Sequence, residues 1–141
     1  MRILQPPDWV AAKGYANGVA AEGRIVFISG QIGWNAEQKF EAVDFVGQAR
    51  QALANVAAVL AEAGGRPEHI ARMTWYVVDK HEYLGCGKAL GAAYREIMGR
   101  HYPAMSAVEV TALMEDAARV EIEATAVLPV DAPQGKPRPS P

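Results

Sequence analysis

The strongest hydrophobic pattern in the chain is helical and runs from about residue 44 to residue 63. Apolar side chains recur there every three or four residues, which places them on one face of a helix: Val46, Ala49, Leu53, Val56 and Leu60. Asp44 is suited to cap the first turn, and Gly64-Gly65 supplies the left-handed stop that often follows a helix. The opposite face carries polar residues, namely Gln48, Arg50, Gln51, Asn55 and Glu62.

Four segments are predicted to be β-strands from their residue composition: 24–29, 73–78, 106–110 and 119–127. The first two are rich in β-branched and aromatic residues. In the last segment apolar and polar residues alternate with a period of two, which is typical of a strand with one buried face. A short strand at 19–21 is predicted to pair with the strand at 24–29 through a turn at Glu22-Gly23.

A second helix is predicted between residues 83 and 98, before Gly99. Gly85, Gly87 and Gly91 each lower its intrinsic stability by about 1 kcal/mol relative to alanine, so packing must hold this helix in place. The element order β-(β)-α-β-α-β-β predicts an α+β fold, in which one mixed sheet has two helices packed on one face.

Composition indicates one folded domain followed by a tail. The chain has 141 residues, of which 50% are hydrophobic and 21% are charged, an ordinary balance for a globular domain. We assign residues 1–129 to that domain. The segment 130–141 is rich in proline and poor in apolar side chains, so it is predicted to be a disordered tail.

Charge and the length of apolar runs exclude several classes of partner. The formal net charge is −2 and the sequence pI is about 5.9, without a basic cluster, so no nucleic-acid partner is expected. The longest apolar runs have the length of a strand, and the N-terminus lacks the apolar core of a signal peptide. We therefore expect no membrane partner and a cytoplasmic location.

The sequence indicates neither a metal site nor a reactive cysteine. Cys86 is the only cysteine, and in a segment of small residues its thiol is expected to pack rather than to react. His69, His81 and His101 are widely spaced and match no metal-ligand pattern. The sequence therefore predicts no metal site.

Four stretches carry patterns that are specific to one family. Residues 103–110 read Pro-Ala-Met-Ser-Ala-Val-Glu-Val. This is similar to the motif Pro-Ala-Arg-Ser-x-Val-Glu-Val of the Rid family, the reactive-intermediate (enamine/imine) deaminases also called the YjgF family. The stretches 14–17, 28–32 and 120–124 resemble that family's Tyr-Ser-Gln turn, Ser-Gly-Gln strand end and closing strand. The resemblance covers about residues 6–127.

The resemblance implies a chorismate-mutase-like fold that assembles as a homotrimer, with three sheets around a central barrel and ligand clefts between neighbouring subunits. It also implies that a small-molecule substrate, a 2-imino or 2-enamino acid, is hydrolysed to a 2-keto acid and ammonia without a cofactor. Carried over by position, Tyr15, Ser29 and Gly30 line the cleft, and Glu121 orients the attacking water.

Met105, Ser106 and Trp34 complete the candidate substrate-binding residues. Met105 stands where the family has the arginine that holds the substrate carboxylate, and Trp34 closely follows the strand end that borders the cleft. The same residues have ordinary structural roles open to them. Tyr15 and Ser29 can satisfy backbone groups, and Glu121 can be one of several glutamates that face solvent.

The methionine at position 105 changes the expected chemistry. An arginine binds a carboxylate through a planar fork of donors, whereas a thioether is only a weak acceptor. Met105 either fills a cavity in a site that has lost its function or belongs to a pocket suited to a more apolar ligand. Gly91 and Ala107 also depart from the asparagine and cysteine found in many members. Cations that are near in sequence are Arg72, Arg95, Arg100, His101 and Arg119, none of which the sequence can place in the cleft.

Three functional hypotheses follow. The first is a hydrolytic deaminase that acts on an enamine or imine metabolite in an atypical, less charged site between subunits. The second is a non-catalytic homotrimer that binds an apolar small molecule. The third is the endoribonuclease or translation-inhibitor activity ascribed to some relatives, which the acidic composition disfavours.

Overall fold

The computed structural model describes residues 1–131 and residue 135. The strands in chain order are β1 (Arg2–Leu4), β2 (Gly18–Ala20), β3 (Arg24–Ile32), β4 (Ile70–Val77), β5 (Ala104–Glu109) and β6 (Val120–Leu128). The helices are α1 (Phe45–Glu62), α2 (Lys80–Gly85) and α3 (Gly87–Met98), and a 3-10 turn spans Pro67–His69. The predicted tail at 130–141 falls outside the described residues except at positions 130, 131 and 135.

The main sheet is mixed, as predicted, and its four strands lie in the order β3-β6-β4-β5. The pairs β3–β6 and β4–β6 are antiparallel, and the pair β4–β5 is parallel. Strand β5 is therefore an edge strand. This position matters for function because β5 carries the motif that contains Met105.

The helices pack against one side of this sheet. Helix α1 contacts β3 and β6, and α3 contacts α1. On β6 the side chains that face the helices are buried, namely Val120, Ile122, Ala124, Ala126 and Leu128. The residues between them are only partly buried, so the predicted period of two in this strand is confirmed.

The other side of the sheet is open in the single chain. Phe27 is 79% exposed and Ile25 is 56% exposed, although both lie within β3. Val108 on β5 is 45% exposed. Apolar side chains gathered on one exposed sheet face are a common sign of an interaction surface.

The first helix begins where the sequence predicts, because the side chain of Asp44 accepts a hydrogen bond from the Gly47 amide at 3.0 Å. One residue of its polar face, Gln48, is buried. Gln48 Nε2 donates to the carbonyls of Ala42 and Ala117, and Gln48 Oε1 accepts from the Arg119 amide at 2.7 Å. The loop that enters β6 is thus fixed to α1.

Two further predictions need correction. The single helix predicted at 83–98 is two helices, α2 and α3, separated at Cys86, so the part of the chain that the structure describes has three α-helices rather than two. The break falls between Gly85 and Gly87, where helix propensity is lowest. The short strand β2 pairs with β1 and not with β3. The predicted partner was wrong because a segment of three residues contains too little hydrophobic pattern to indicate which strand it pairs with.

No helix among residues 1–131 has the length and apolar character that crossing a membrane requires.

Candidate functional site

Three of the predicted site residues meet at the free edge of β5. Ala16 forms a parallel bridge with Ala104, and its amide donates to the Pro103 carbonyl at 3.0 Å. This crossing places Tyr15 beside Met105 and Ser106, and the three residues line one depression of about 320 Å³. Tyr15 is 44% exposed. The sequence motif and the turn at residues 14–17 thus contribute to the same depression.

Met105 lies between the hydrophobic core and a second depression of about 320 Å³, which adjoins the first. It pairs with Met73 in the parallel ladder and packs against the hydrophobic core. The second depression lies between β5, α2 and α3, and its walls are largely aromatic, with Trp75, Tyr83, Tyr94 and Tyr102. The thioether of Met105 therefore faces a place suited to an apolar group.

The aromatic walls are held by contacts with one another and with the backbone. Tyr94 stacks on Tyr102 with ring centroids 5.3 Å apart, and its hydroxyl donates to the His101 carbonyl. Burial raises the pKa of Tyr94 well above its usual value, so its hydroxyl stays a donor. Trp75 meets Tyr83 edge to face at 6.0 Å. The indole N–H of Trp75 is buried and has no hydrogen-bond partner among the described residues.

One arginine reaches the aromatic depression, and the sequence could not identify it. Arg95 on α3 lines the depression together with Met105. Arg72 lines a depression on the open sheet face, and Arg100 and His101 line another beside the N-terminal segment. Arg119 forms an ion pair with Glu82. The site around Met105 thus contains a guanidinium, although its motif position does not.

A second group of predicted residues lies at an irregularity in β3. Ile28 pairs with Ala124 and Gln31 pairs with Ile122, so Ser29 and Gly30 together face the single residue Glu123. This is a β-bulge, which redirects side chains and often occurs near functional sites. Beyond it, Gly30, Trp34 and Glu121 line a depression of about 370 Å³ with Met114.

Glu121 lies directly against Gly30. A Cβ atom added to Gly30 would be 2.7 Å from the carboxyl carbon of Glu121 and 2.8 Å from its Oε1. Glu121 is partly buried, and its carboxylate receives no hydrogen bond from the described residues. The neighbouring Glu123 is engaged instead, because the Tyr76 hydroxyl donates to it at 2.5 Å, and this bond raises the pKa of Tyr76. A carboxylate of this kind can accept a proton from a bound water.

Ser29 and Trp34 have clear structural partners. The Ser29 hydroxyl accepts a hydrogen bond from Gln31 Nε2 at 3.3 Å. Ser29 also lines the depression on the open sheet face, of about 410 Å³, with Arg72 and Glu123. The carbonyl of Trp34 accepts from Asn55 Nδ2 at 2.8 Å. Trp34 also packs against Phe40, with ring centroids 6.0 Å apart.

A single chain therefore distributes the predicted residues over separate depressions. Tyr15, Met105 and Ser106 lie at the β5 edge, and Gly30, Trp34 and Glu121 lie beside the bulge. Ser29 lies on the open sheet face. Within residues 1–131, no cluster of histidine, cysteine, aspartate or glutamate side chains has the geometry of a metal site.

Comparison with known proteins identifies the family. The family model described as "Endoribonuclease L-PSP" matches residues 7–128. The RutC family protein PM1466 of Pasteurella multocida is 35% identical over 105 residues, which cover 74% of this chain and 81% of that protein. The 2-iminobutanoate/2-iminopropanoate deaminase of Escherichia coli K12 is 35% identical over 116 residues, which cover 80% of this chain and 86% of the enzyme.

Comparison with solved structures indicates the same family. A protein of unknown function from Yersinia pestis, described as a member of the conserved Rid protein family, superposes with a TM-score of 0.77 at 33% identity. The match covers 90% of this chain and 98% of the Yersinia protein. With the motif, the fold and the family model in agreement, this chain belongs to the Rid/YjgF family.

Proposed function

We propose that this protein is a hydrolytic deaminase that acts on enamine or imine metabolites with an apolar side group. The observation that carries the proposal is the carboxylate of Glu121, which lies against Gly30 and has no hydrogen-bond partner among the described residues. The name of the relative in Escherichia coli, a 2-iminobutanoate/2-iminopropanoate deaminase, supports the reaction class.

The proposed reaction needs little from the protein beyond orientation and one proton acceptor. A water molecule adds to the carbon of the C=N bond while Glu121 accepts one of its protons, which gives a tetrahedral carbinolamine. Starting from the protonated imine, Glu121 returns its proton to the nitrogen of the neutral carbinolamine. The C–N bond then breaks as the carbinolamine hydroxyl loses its proton to Glu121, and ammonia leaves with a ketone or keto acid as the second product. Positioning and proton transfer of this kind account for large rate gains without a cofactor.

A complete site requires more than one subunit in this proposal. The Glu121 depression and the Met105 depression are separate on one chain, and the open sheet face exposes Phe27 and Ile25. We therefore propose a homotrimer in which the Glu121 side of one subunit meets the Met105 side of its neighbour. Light scattering coupled to gel filtration should give three times the monomer mass of 15.2 kDa, and a monomeric protein with full activity would contradict this assembly.

Substrate preference follows from the walls of the Met105 depression. Trp75, Tyr83 and Tyr102 offer aromatic surface, and Met105 adds a flexible thioether. An imine whose side group is aromatic or branched buries apolar area there, which a methyl group cannot do. We expect the native protein to hydrolyse such imines faster than 2-iminopropanoate, which is the imine tautomer of 2-aminoacrylate.

Ammonia release tests the proposal. Imines can be generated in the assay by an amino-acid oxidase from phenylalanine, leucine or alanine, and the hydrolysis rate above buffer is then measured. The Glu121→Gln variant should lose activity by about 100-fold or more, as expected for loss of a proton acceptor. Glu22→Gln, an exposed carboxylate in the turn before β3, is the matched control and should retain the native rate.

A second candidate function is binding without catalysis, which the substitution at Met105 favours. If the native protein accelerates hydrolysis of none of these imines but binds stable analogues in the micromolar range, the non-catalytic hypothesis replaces the enzymatic one. Equal rates for the native protein and Glu121→Gln would reject Glu121 as the proton acceptor.

A further inference from the structure

We propose that Arg95 is the anion-binding residue of this site and that it takes the carboxylate of a ligand whose aromatic or branched group occupies the depression beside Met105. The inference rests on the proposed function for its substrate class, but its test does not depend on turnover. In this arrangement a residue of α3 binds the ligand carboxylate. Met105 on β5 cannot do so because its side chain is uncharged.

The position of the guanidinium is the first observation. Arg95 lines the same aromatic depression as Met105. A Cβ atom added to Gly91, one helical turn earlier, would be 3.1 Å from Arg95 Nη1 and 3.9 Å from its Cζ. The guanidinium therefore lies over the bare backbone of Gly91, in the space that a larger side chain at position 91 would occupy.

The second observation is that this charge has no partner of its own. Four ion pairs near the surface join Lys39 to Glu37, Arg50 to Glu96, Arg66 to Glu68 and Arg119 to Glu82, and none of them includes Arg95. Although Glu96 is the next residue in α3, it pairs with Arg50 at 2.8 Å. The side chain of Arg95 has neither an ion pair nor a hydrogen bond within residues 1–131.

The shape and chemistry of the depression define the ligand. Its volume of about 320 Å³ is at the small end of the range for small-molecule sites. The aromatic side chains in its walls favour a ring or a branched chain. The planar fork of a guanidinium binds a carboxylate through two parallel hydrogen bonds. An apolar monocarboxylate with its acid group at the α3 rim satisfies both requirements.

Lys13 is the competing cation. It lines the adjoining depression with Tyr15 and Ser106, and Met105 lines both depressions. Its ammonium is a point charge without the geometry of a fork, and it does not line the aromatic depression. The arrangement thus assigns the carboxylate to Arg95, and a comparison of the two variants separates the alternatives.

Binding of stable acids to the full-length protein tests the inference. The probes are 3-phenylpropanoate, its neutral isostere 3-phenylpropanamide, and propanoate, none of which contains a C=N bond. Calorimetry or tryptophan fluorescence measures the affinities. We expect 3-phenylpropanoate to bind about tenfold or more tightly than either other probe, since it combines a charged hydrogen bond with aromatic burial.

The variants give the decisive comparison. Arg95→Gln should weaken binding of the acid by about tenfold or more and leave binding of the amide unchanged. Lys88→Gln removes one positive charge from the same helix outside the depression and should bind the acid like the native protein. Unchanged affinity for the acid in Arg95→Gln would overturn the inference, as would an equal loss in Lys88→Gln or a larger loss in Lys13→Gln.

The outcome separates this inference from the proposed function. Binding that depends on Arg95 without ammonia release would keep the anchor and reject the hydrolysis. Ammonia release from aromatic imines that is unaffected by Arg95→Gln would keep the hydrolysis and reject the anchor. Failure of native protein to bind 3-phenylpropanoate at millimolar concentration would also overturn the inference.

Discussion

The carboxyl group of Glu121 lies against the backbone of Gly30, so closely that a Cβ atom at position 30 would be 2.7 Å from the Glu121 carboxyl carbon. The two residues come from different strands, β3 and β6, and they meet because the bulge at Ser29 and Gly30 shifts the pairing. A glycine at the strand end thus sets the position of the proposed proton acceptor.

Replacing Gly30 by alanine should reduce turnover without unfolding the protein. The new methyl group displaces the flexible end of Glu121, which costs little stability but moves the carboxylate from its place. We expect kcat for imine hydrolysis to fall by about tenfold or more, since misplacement by about 1 Å has effects of this size. Gly85→Ala makes the same change where nothing lies within 4 Å and should retain the native kcat. Equal kcat in the two variants would contradict the role given to Gly30.

Replacing Met105 by arginine should shift preference toward small imino acids. The new guanidinium would offer a short substrate the charged hydrogen bonds that Met105 lacks, so kcat/KM for 2-iminopropanoate should rise about tenfold relative to the phenylalanine-derived imine. Met105→Leu keeps a similar volume without charge and should not raise that ratio. If native protein already prefers the small substrate, the interpretation of position 105 as an apolar wall is wrong.

Replacing Gln48 by leucine should destabilise the fold strongly. The substitution leaves the Ala42 and Ala117 carbonyls and the Arg119 amide without their partner. We expect the free energy of unfolding to decrease by about 2–4 kcal/mol in urea denaturation. Gln51→Leu on the same helix loses one hydrogen bond to the Asn55 side chain and serves as the control. A loss below 1 kcal/mol for Gln48→Leu would show that the buried bonds are dispensable.

The thiol of Cys86 should react slowly at pH 8. Burial raises its pKa above the usual thiol range, and the thiol contacts the Tyr83 carbonyl at 3.5 Å. Because the thiolate is the reactive form, its fraction at pH 8 is lower than in an exposed cysteine, and reactivity should rise only at higher pH. Labelling with a chromogenic disulfide across pH 7–10, in native and urea-unfolded protein, measures this difference. Equal rates in the two states at pH 8 would contradict the prediction.

The local signals of the chain predicted most of the regular structure. The three- and four-residue spacing gave α1 almost to its ends, and the Asp44 cap is present as expected. The alternation in β6 correctly indicated which residues face the helices. Patterns of this kind succeed because they repeat over many residues, so that each repeat reinforces the same orientation.

Predictions that depended on short segments or on mixed residue patterns were wrong. Three residues at 18–20 could not indicate whether β1 or β3 would be their partner, and the glycines around Cys86 left the division between α2 and α3 undetected. Gln48 lies on the polar face of α1, and the sequence did not indicate that it is buried. Its burial depends on backbone groups from the segment just before α1 and from the distant loop that enters β6, which no local pattern reveals.

By itself the sequence determined the family, the α+β class and the absence of charge at position 105, because each of these depends on residue identity and local spacing. Tertiary structure decided which cation lies near position 105. Arg95 lies ten residues from Met105 in the chain, on another element, and only the packing of α3 beside the edge strand brings its guanidinium to the same depression. Contacts across elements depend on how whole faces pack, so the composition of the site is a property of the fold rather than of any single segment.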